Sequence, residues 1–196
     1  MATTTESQNS LDLLFEMFKL RAEAVSAQVE RVSNKELALE LIVRLLNKEG
    51  IEDKSGLHAI WANSAMIGPE DKARLKTALP GLSFDVTREL AAEAKAGISQ
   101  MDWALANTGT LVQTADAVEQ RLVSTLPPLH IAIISTQALL PDLPTLIKRV
   151  DPRKSAYLAF ITGPSRTADI ERVLTIGVHG PGRLMIVMVD ELEGAR

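Results

Sequence analysis

The sequence predicts an α/β domain built on a buried, largely parallel or mixed sheet. Three observations point there. Segments with helical spacing are interspersed with short apolar segments of strand length. Several of the latter, "LHIAII" and "LMIVMV" among them, are apolar throughout, as strands covered on both faces are. Hydrophobic residues make up 46% of the 196, enough for a substantial core, and aromatics are only 4%, so that core must rest on Leu, Ile, Val and Ala.

The elements follow in order. From Leu11 to about Val25, Leu11, Leu14, Phe15, Phe18 and Ala22 recur at helical spacing. The alternation in "AQVERV" suits a short strand. Ser33, with Glu36 three residues on, forms a capping box for a helix that carries Leu37, Leu41 and Leu45 and stops near Gly50. "LHAIWA" reads as a strand. "GPEDKARLKTALPG" reads as a helix with Pro69 first, acids in its first turn and a Pro-Gly stop. "LSFDV" is a further strand, and a short helix runs from Thr87 to about Lys95. Strands follow at Ile98 to Ala106 and Leu111 to Thr114, joined around Gly109, and then at "LHIAII". A helix over Leu143 to Val150, the strand "AYLAFIT" and the last strand "LMIVMV" complete the chain. No repeat or long linker interrupts it, so a single domain over 11–196 is expected behind a flexible 1–10.

Composition excludes several functions. With 21 basic and 25 acidic residues the net charge is −4, and no basic patch suits a nucleic-acid partner. Cysteine is absent, so the chain supplies no thiolate for an iron–sulfur cluster, a zinc site or a disulfide. Any redox role must come from a bound cofactor or a partner. No apolar run reaches the roughly 20 residues of a membrane span, and the polar N-terminus lacks a signal pattern, so a cytoplasmic protein is expected. No metal-ligand spacing, phosphate loop, nucleophile elbow or dinucleotide fingerprint occurs.

Polar side chains gather instead in three places. In "ITGPSRTADIE", Gly163 and Pro164 form a turn after an apolar strand, expected at the carboxyl edge of the sheet where ligands of α/β folds sit. Ser165 or Thr167 would cap a helix from about Ala168, and Arg166 beside free backbone N–H groups suits a carboxylate or phosphate. A surface pairing of Arg166 with Asp169 or Glu171 explains the same letters. In "NTGTL", Thr108 and Thr110 flank Gly109, as a ligand loop or a plain hairpin turn would have it. In "VHGPG", His179 offers a proton donor or acceptor, or satisfies backbone carbonyls. The residues alone lead to a binding domain with a polar rim and no further.

Three ordered blocks resemble the LutC family, also called YkgG or LUD-domain proteins: "AGISQMDWALANTGTLVQ", "RLVSTLPPLHIAII" and "ITGPSRTADIERVLTIGVHGPGRLMIVMVDE". The resemblance implies a three-layer α/β fold similar to the NagB/RpiA/CoA-transferase group. It implies a part in converting L-lactate to pyruvate beside iron–sulfur partner proteins, with no cofactor in this chain and a small organic acid as ligand. The candidate ligand-binding residues are Asn107, Thr108, Gly109, Thr110, Gly163, Ser165, Arg166, Thr167, Asp169, His179 and Gly180. Relatives commonly carry Glu where this chain has Asn107, which keeps the shape without the charge. Gln100 and Met101 also depart from the family's "GITGAD", while Asp102 is retained. Two alternatives remain: a free-standing enzyme on an anionic metabolite, and a non-catalytic assembly subunit.

Overall fold

A computed structural model describes residues 4–151, 153–167, 175–177 and 179–192. The elements are α1 (Thr4–Ala24), β1 (Gln28–Asn34), α2 (Lys35–Lys48), β2 (Ala59–Trp61), α3 (Pro69–Ala78), β3 (Leu82–Ser83), α4 (Arg88–Glu93), β4 (Ala96–Gln100), β5 (Trp103–Leu105) and β6 (Thr110–Thr114). There follow α5 (Val118–Thr125), β7 (Leu129–Ser135), β8 (Leu139–Leu140), α6 (Leu143–Arg149), β9 (Leu158–Ile161), β10 (Arg166–Thr167), β11 (Thr175–Ile176) and β12 (Arg183–Glu191).

Six strands form a central sheet in the order β1-β12-β7-β4-β2-β3, with every adjacent pair parallel. Ala59, Trp61, Ile98, Ile131, Ile133, Val187 and Val189 face one way, onto Leu39, Ile42 and Leu46 of α2 and Leu75 of α3. The opposite face is shared. Ala132, Ile134, Ile186 and Met188 meet Phe15, Phe18 and Ala22 of α1. Ile60 meets Ala91 of α4 and Val123 of α5. Helices on both faces give the three layers, and burial on both faces is why these strands read as unbroken apolar runs.

A second sheet, β8-β5-β6-β9, lies over α1's side of the molecule. The segment expected as a single strand from Ile98 to Ala106 is split between the two sheets. β4 stays in the central sheet, and the chain leaves it at Met101 and Asp102, where the Asp102 carboxylate accepts the Thr114 N–H at 2.6 Å. Gln100 helps hold this departure: its backbone carbonyl accepts from Gln113 Nε2 and its side chain accepts from the Met66 N–H.

Other expectations shift. The first helix begins at Thr4, ahead of Leu11. The helix cap is Asn34, one residue past Ser33, and its side chain accepts from the Leu37 N–H at 3.0 Å. Ser33 instead lies in β1, because that strand runs to Asn34 beside β12. Helix α5 is an element that the sequence pattern does not predict. Its polar residues Glu119, Gln120 and Arg121 hide the apolar pair Leu122 and Val123 that docks on the sheet. Among the described residues, no helix is long and apolar enough to cross a membrane.

Candidate functional site

The three polar segments come together, but not where α/β ligands usually sit. Leu158–Ile161 belongs to the second sheet, pairing antiparallel with β6, so the turn after it does not stand at the carboxyl ends of the parallel strands. The loop ahead of β12 fixes its position: the Arg183 N–H donates to Pro128 O, just before β7 begins. The rim therefore lies at the amino edge of the central sheet.

The end of α1 is its foundation. Gly109 has φ +66°, and a side chain there would come within 2.8 Å of Ala22 Cα. Gly163 has φ +73°, and a side chain there would come within 2.6 Å of Val25 O. Both glycines serve left-handed turns that lie against α1 and its first residue beyond, a role only a residue without Cβ can fill. They are packing residues first.

Hydroxyls link the two turns. Thr110 Oγ1 donates to Thr108 Oγ1 at 2.8 Å and lies 2.8 Å from Thr162 Oγ1. A hydroxyl has one proton, so Thr162 must donate to Thr110. The chain of donors thus runs from exposed Thr162 through buried Thr110 to exposed Thr108, which keeps its own proton to donate.

Arg166 is held from the α1 end. Its Nη2 donates to Ser26 Oγ at 3.0 Å. Ser26 adopts φ +70°, the left-handed region in which a non-glycine residue costs about 1–2 kcal/mol. Arg166 stays exposed and has no carboxylate partner among the described residues. It lies in β10, paired with Ile176 of β11, and Thr167 pairs with Thr175. The helix expected from Ala168, together with Asp169 and Glu171, lies outside the described residues.

Ser165 joins the last loop: its N–H donates to Pro181 O, and its carbonyl accepts from the Gly177 N–H. Gly180 backs onto the Ser165 side chain, which a Cβ at 180 would approach at 3.1 Å. His179, beside it, is exposed. Asn107 is exposed at the hairpin tip, anchored through its N–H to Pro141 O. The structure thus gathers Thr108, Gly109, Thr110, Gly163 and Arg166 around the end of α1, and seats Ser165 against Gly180. Four cavities bounded by described residues lie away from these loops, between α2 and α3, beside His58, along α1 and around Asn34 and Asp190.

Sequence reasoning missed Ser26 and Thr162. Thr162 directly precedes Gly163 and was readable in the same stretch, whereas nothing local to "AVSAQ" marks Ser26. It also missed a network at the carboxyl edge. Arg31 Nε donates to Asp190 Oδ1 at 2.8 Å, Arg31 Nη1 to Asp12 Oδ1 at 2.8 Å, and Thr136 Oγ1 to Asp190 at 3.0 Å. Partial burial works against the Arg31 charge, yet the hydrogen bonds and charges of Asp190 and Asp12 hold its pKa above the ordinary value. The guanidinium also sits 4.8 Å over the Phe15 ring. A cavity of about 450 Å³ opens beside Asn34, Lys35 and Asp190. The acid ending an apolar strand in "LMIVMVD" was the readable signal.

One buried pair lies within the central sheet. Ser99 Oγ is 2.9 Å from His130 Nε2, and both side chains are buried. Burial pushes the imidazole down to about 4, so it is neutral at physiological pH.

A family model described as the LUD domain matches residues 15–189. Among curated proteins, "Lactate utilization protein C" of Exiguobacterium sp. is 40% identical over 114 residues, covering 55% of this chain and 50% of its own length. "Lactate utilization protein C 1" of Bacillus mycoides is 37% identical over 109 residues, covering 53% and 47%. The chain spans about half the length of the curated relatives it matches. Among solved structures, a DUF162 family protein from Deinococcus radiodurans superposes with a TM-score of 0.62 at 18% identity, covering 91% of this chain and 98% of its own. That likeness concerns the fold.

Proposed function

The chain belongs to the LUD-domain family, and from that premise we propose that it serves lactate utilisation as a subunit that binds a small 2-hydroxy or 2-oxo acid. The name carried by its relatives supports the metabolic setting. The observation that carries the ligand reading is Arg166: an exposed guanidinium without a carboxylate partner among the described residues, steadied by a serine in a left-handed conformation. A carboxylate would take two parallel N–H bonds from such a group. Thr108, at the end of the hydroxyl chain, would donate to the hydroxyl or oxo oxygen, with His179 as a second donor or acceptor. Asn107, Thr110, Gly163, Ser165, Thr167, Asp169 and Gly180 complete the candidate set.

The absence of cysteine from the chain supports a division of labour. This subunit would hold or orient the acid, and iron–sulfur partner proteins would carry the electrons. No cofactor would reside in this chain.

Isothermal titration with L-lactate and pyruvate tests the ligand reading. Native protein should bind one of them, and Arg166→Ala should weaken binding by about tenfold or more, as loss of a charged two-point contact does. Equal affinities would remove Arg166 from the site. Pull-down with the full set of proteins encoded beside this chain tests the partner reading, and failure to retain any cluster-bearing protein would sink it.

A further inference from the structure

Helix α1 is apolar on two opposite faces. Phe15, Phe18 and Ala22 are buried in the core, yet Leu13, Met17 and Leu20 are 72%, 46% and 68% exposed, with exposed Ala24 continuing their line. A single exposed Leu is ordinary, but an aligned series on one helix face is a docking surface. The spacing from 13 to 17 to 20 to 24 alternates four and three, the rhythm of a coiled-coil seam.

The charges beside that seam say what covers it. With Leu13 and Leu20 at d and Met17 and Ala24 at a, Glu16 falls at g and Arg21 at e. Both are exposed, and neither has an ion-pair partner among the described residues. In a parallel pair, each g residue faces the e residue of the next heptad on the other helix. Glu16 of one copy would therefore meet Arg21 of the other, twice by symmetry. An antiparallel pair sets g against g, and the g positions here, Glu16 and Glu23, are both acidic. The stripe is self-complementary in one orientation only.

We propose that α1 pairs in parallel with α1 of a second copy across a two-fold axis, through Leu13, Met17, Leu20 and Ala24. The seam spans about two heptads, less than a standard interface, so association is reversible with a dissociation constant in the micromolar range. The occupant is a second copy because the flanking charges match this sequence to itself.

Sedimentation velocity of the full chain from about 1 to 200 μM should show a monomer–dimer equilibrium. Leu20→Glu should leave only monomer while the melting temperature stays at the native value, since position 20 is open in the monomer. Glu16→Arg should weaken the dimer by about tenfold, and adding Arg21→Glu should restore it. Because the chain has no cysteine, Leu13→Cys reads orientation directly. In a parallel seam it forms a disulfide-linked homodimer on mild oxidation. Monomer at every concentration would overturn the proposal, as would a dimer indifferent to Leu20→Glu. So would cross-linking that requires Leu13→Cys mixed with Ala24→Cys, which reports an antiparallel seam, or a stripe engaged only by a different protein.

Discussion

The amino edge of the central sheet is closed by glycines. Gly109 and Gly163 let two left-handed turns lie directly against the end of α1, and only a short hydroxyl chain and one Arg–Ser contact are added on top. The carboxyl edge is closed by side chains instead: Arg31 gathers Asp12 and Asp190, Thr136 adds a hydroxyl, and Gln100 and Gln113 bridge the two sheets. The difference teaches that one run of glycines and hydroxyls can serve packing and recognition together. Gly109 and Gly163 are fixed by α1, which leaves Thr108 and Arg166 free to face outward.

The comparison can be broken most severely at Gly109. Gly109→Ala places a methyl group against the α1 backbone at a φ that L-residues avoid, and should cost about 3–4 kcal/mol, a fall of roughly 10 °C in melting temperature. Circular dichroism melting checks it, and a native melting temperature would show that the turn and helix are not in contact. The equivalent change on a solvent-facing glycine, Gly56→Ala, carries the backbone penalty without the clash and should cost less.

The amino half should also be the acid-sensitive one. Buried His130 titrates at about 4 when folded against about 6.5 when unfolded. The unfolded chain therefore takes up the proton first as pH falls. Stability from this group is complete above pH 6.5, declines as pH drops toward 4, and amounts to about 3 kcal/mol over that window. Urea denaturation at pH 7 and pH 4.5 measures it, and His130→Gln should flatten the slope. A slope unchanged by that substitution would assign the sensitivity to other groups.

At the carboxyl edge, Asp190→Ala strands Arg31 Nε and the Thr136 hydroxyl. Both partners of the ion pair are partly exposed, so water can replace some of what is lost, and a cost of about 1–2 kcal/mol is expected. The smallest effect should come from Ser26→Gly. Relief of the left-handed strain offsets the lost hydrogen bond, leaving stability within about 0.5 kcal/mol of native. Organic-acid affinity should nonetheless fall, because Arg166 loses its anchor. A drop in stability with unchanged affinity would reverse that assignment.

How far the sequence was legible follows from how far each signal travels along the chain. Helical periodicity and caps are local, so α2, α3, α4 and α6 were readable to within a residue or two at most ends. Sheet membership is not local. "AYLAFIT" looks like any apolar strand, and only its pairing with β6 puts it in the second sheet, which moved the rim to the opposite edge from the one expected. The family's loops were visible as letters, and their neighbourhood was not. Arg166 meets Ser26 across 140 positions and Arg31 meets Asp190 across 159, distances over which a single sequence carries no pairing signal. Helix α1 was legible on its inner face, since Leu11, Leu14, Phe15, Phe18 and Ala22, read at helical spacing, are the residues that pack inward, and only its start at Thr4 came earlier than expected.

Helix α1 reaches both of the edges compared above. Its inner face is clamped by Phe15 and Phe18, and Asp12 ties it to Arg31. Immediately past its end, Ser26 holds Arg166. The outer stripe and the serine that steadies Arg166 are thus borne by one continuous stretch of chain, so a substitution that shifts the end of this helix should be felt at the guanidinium as well.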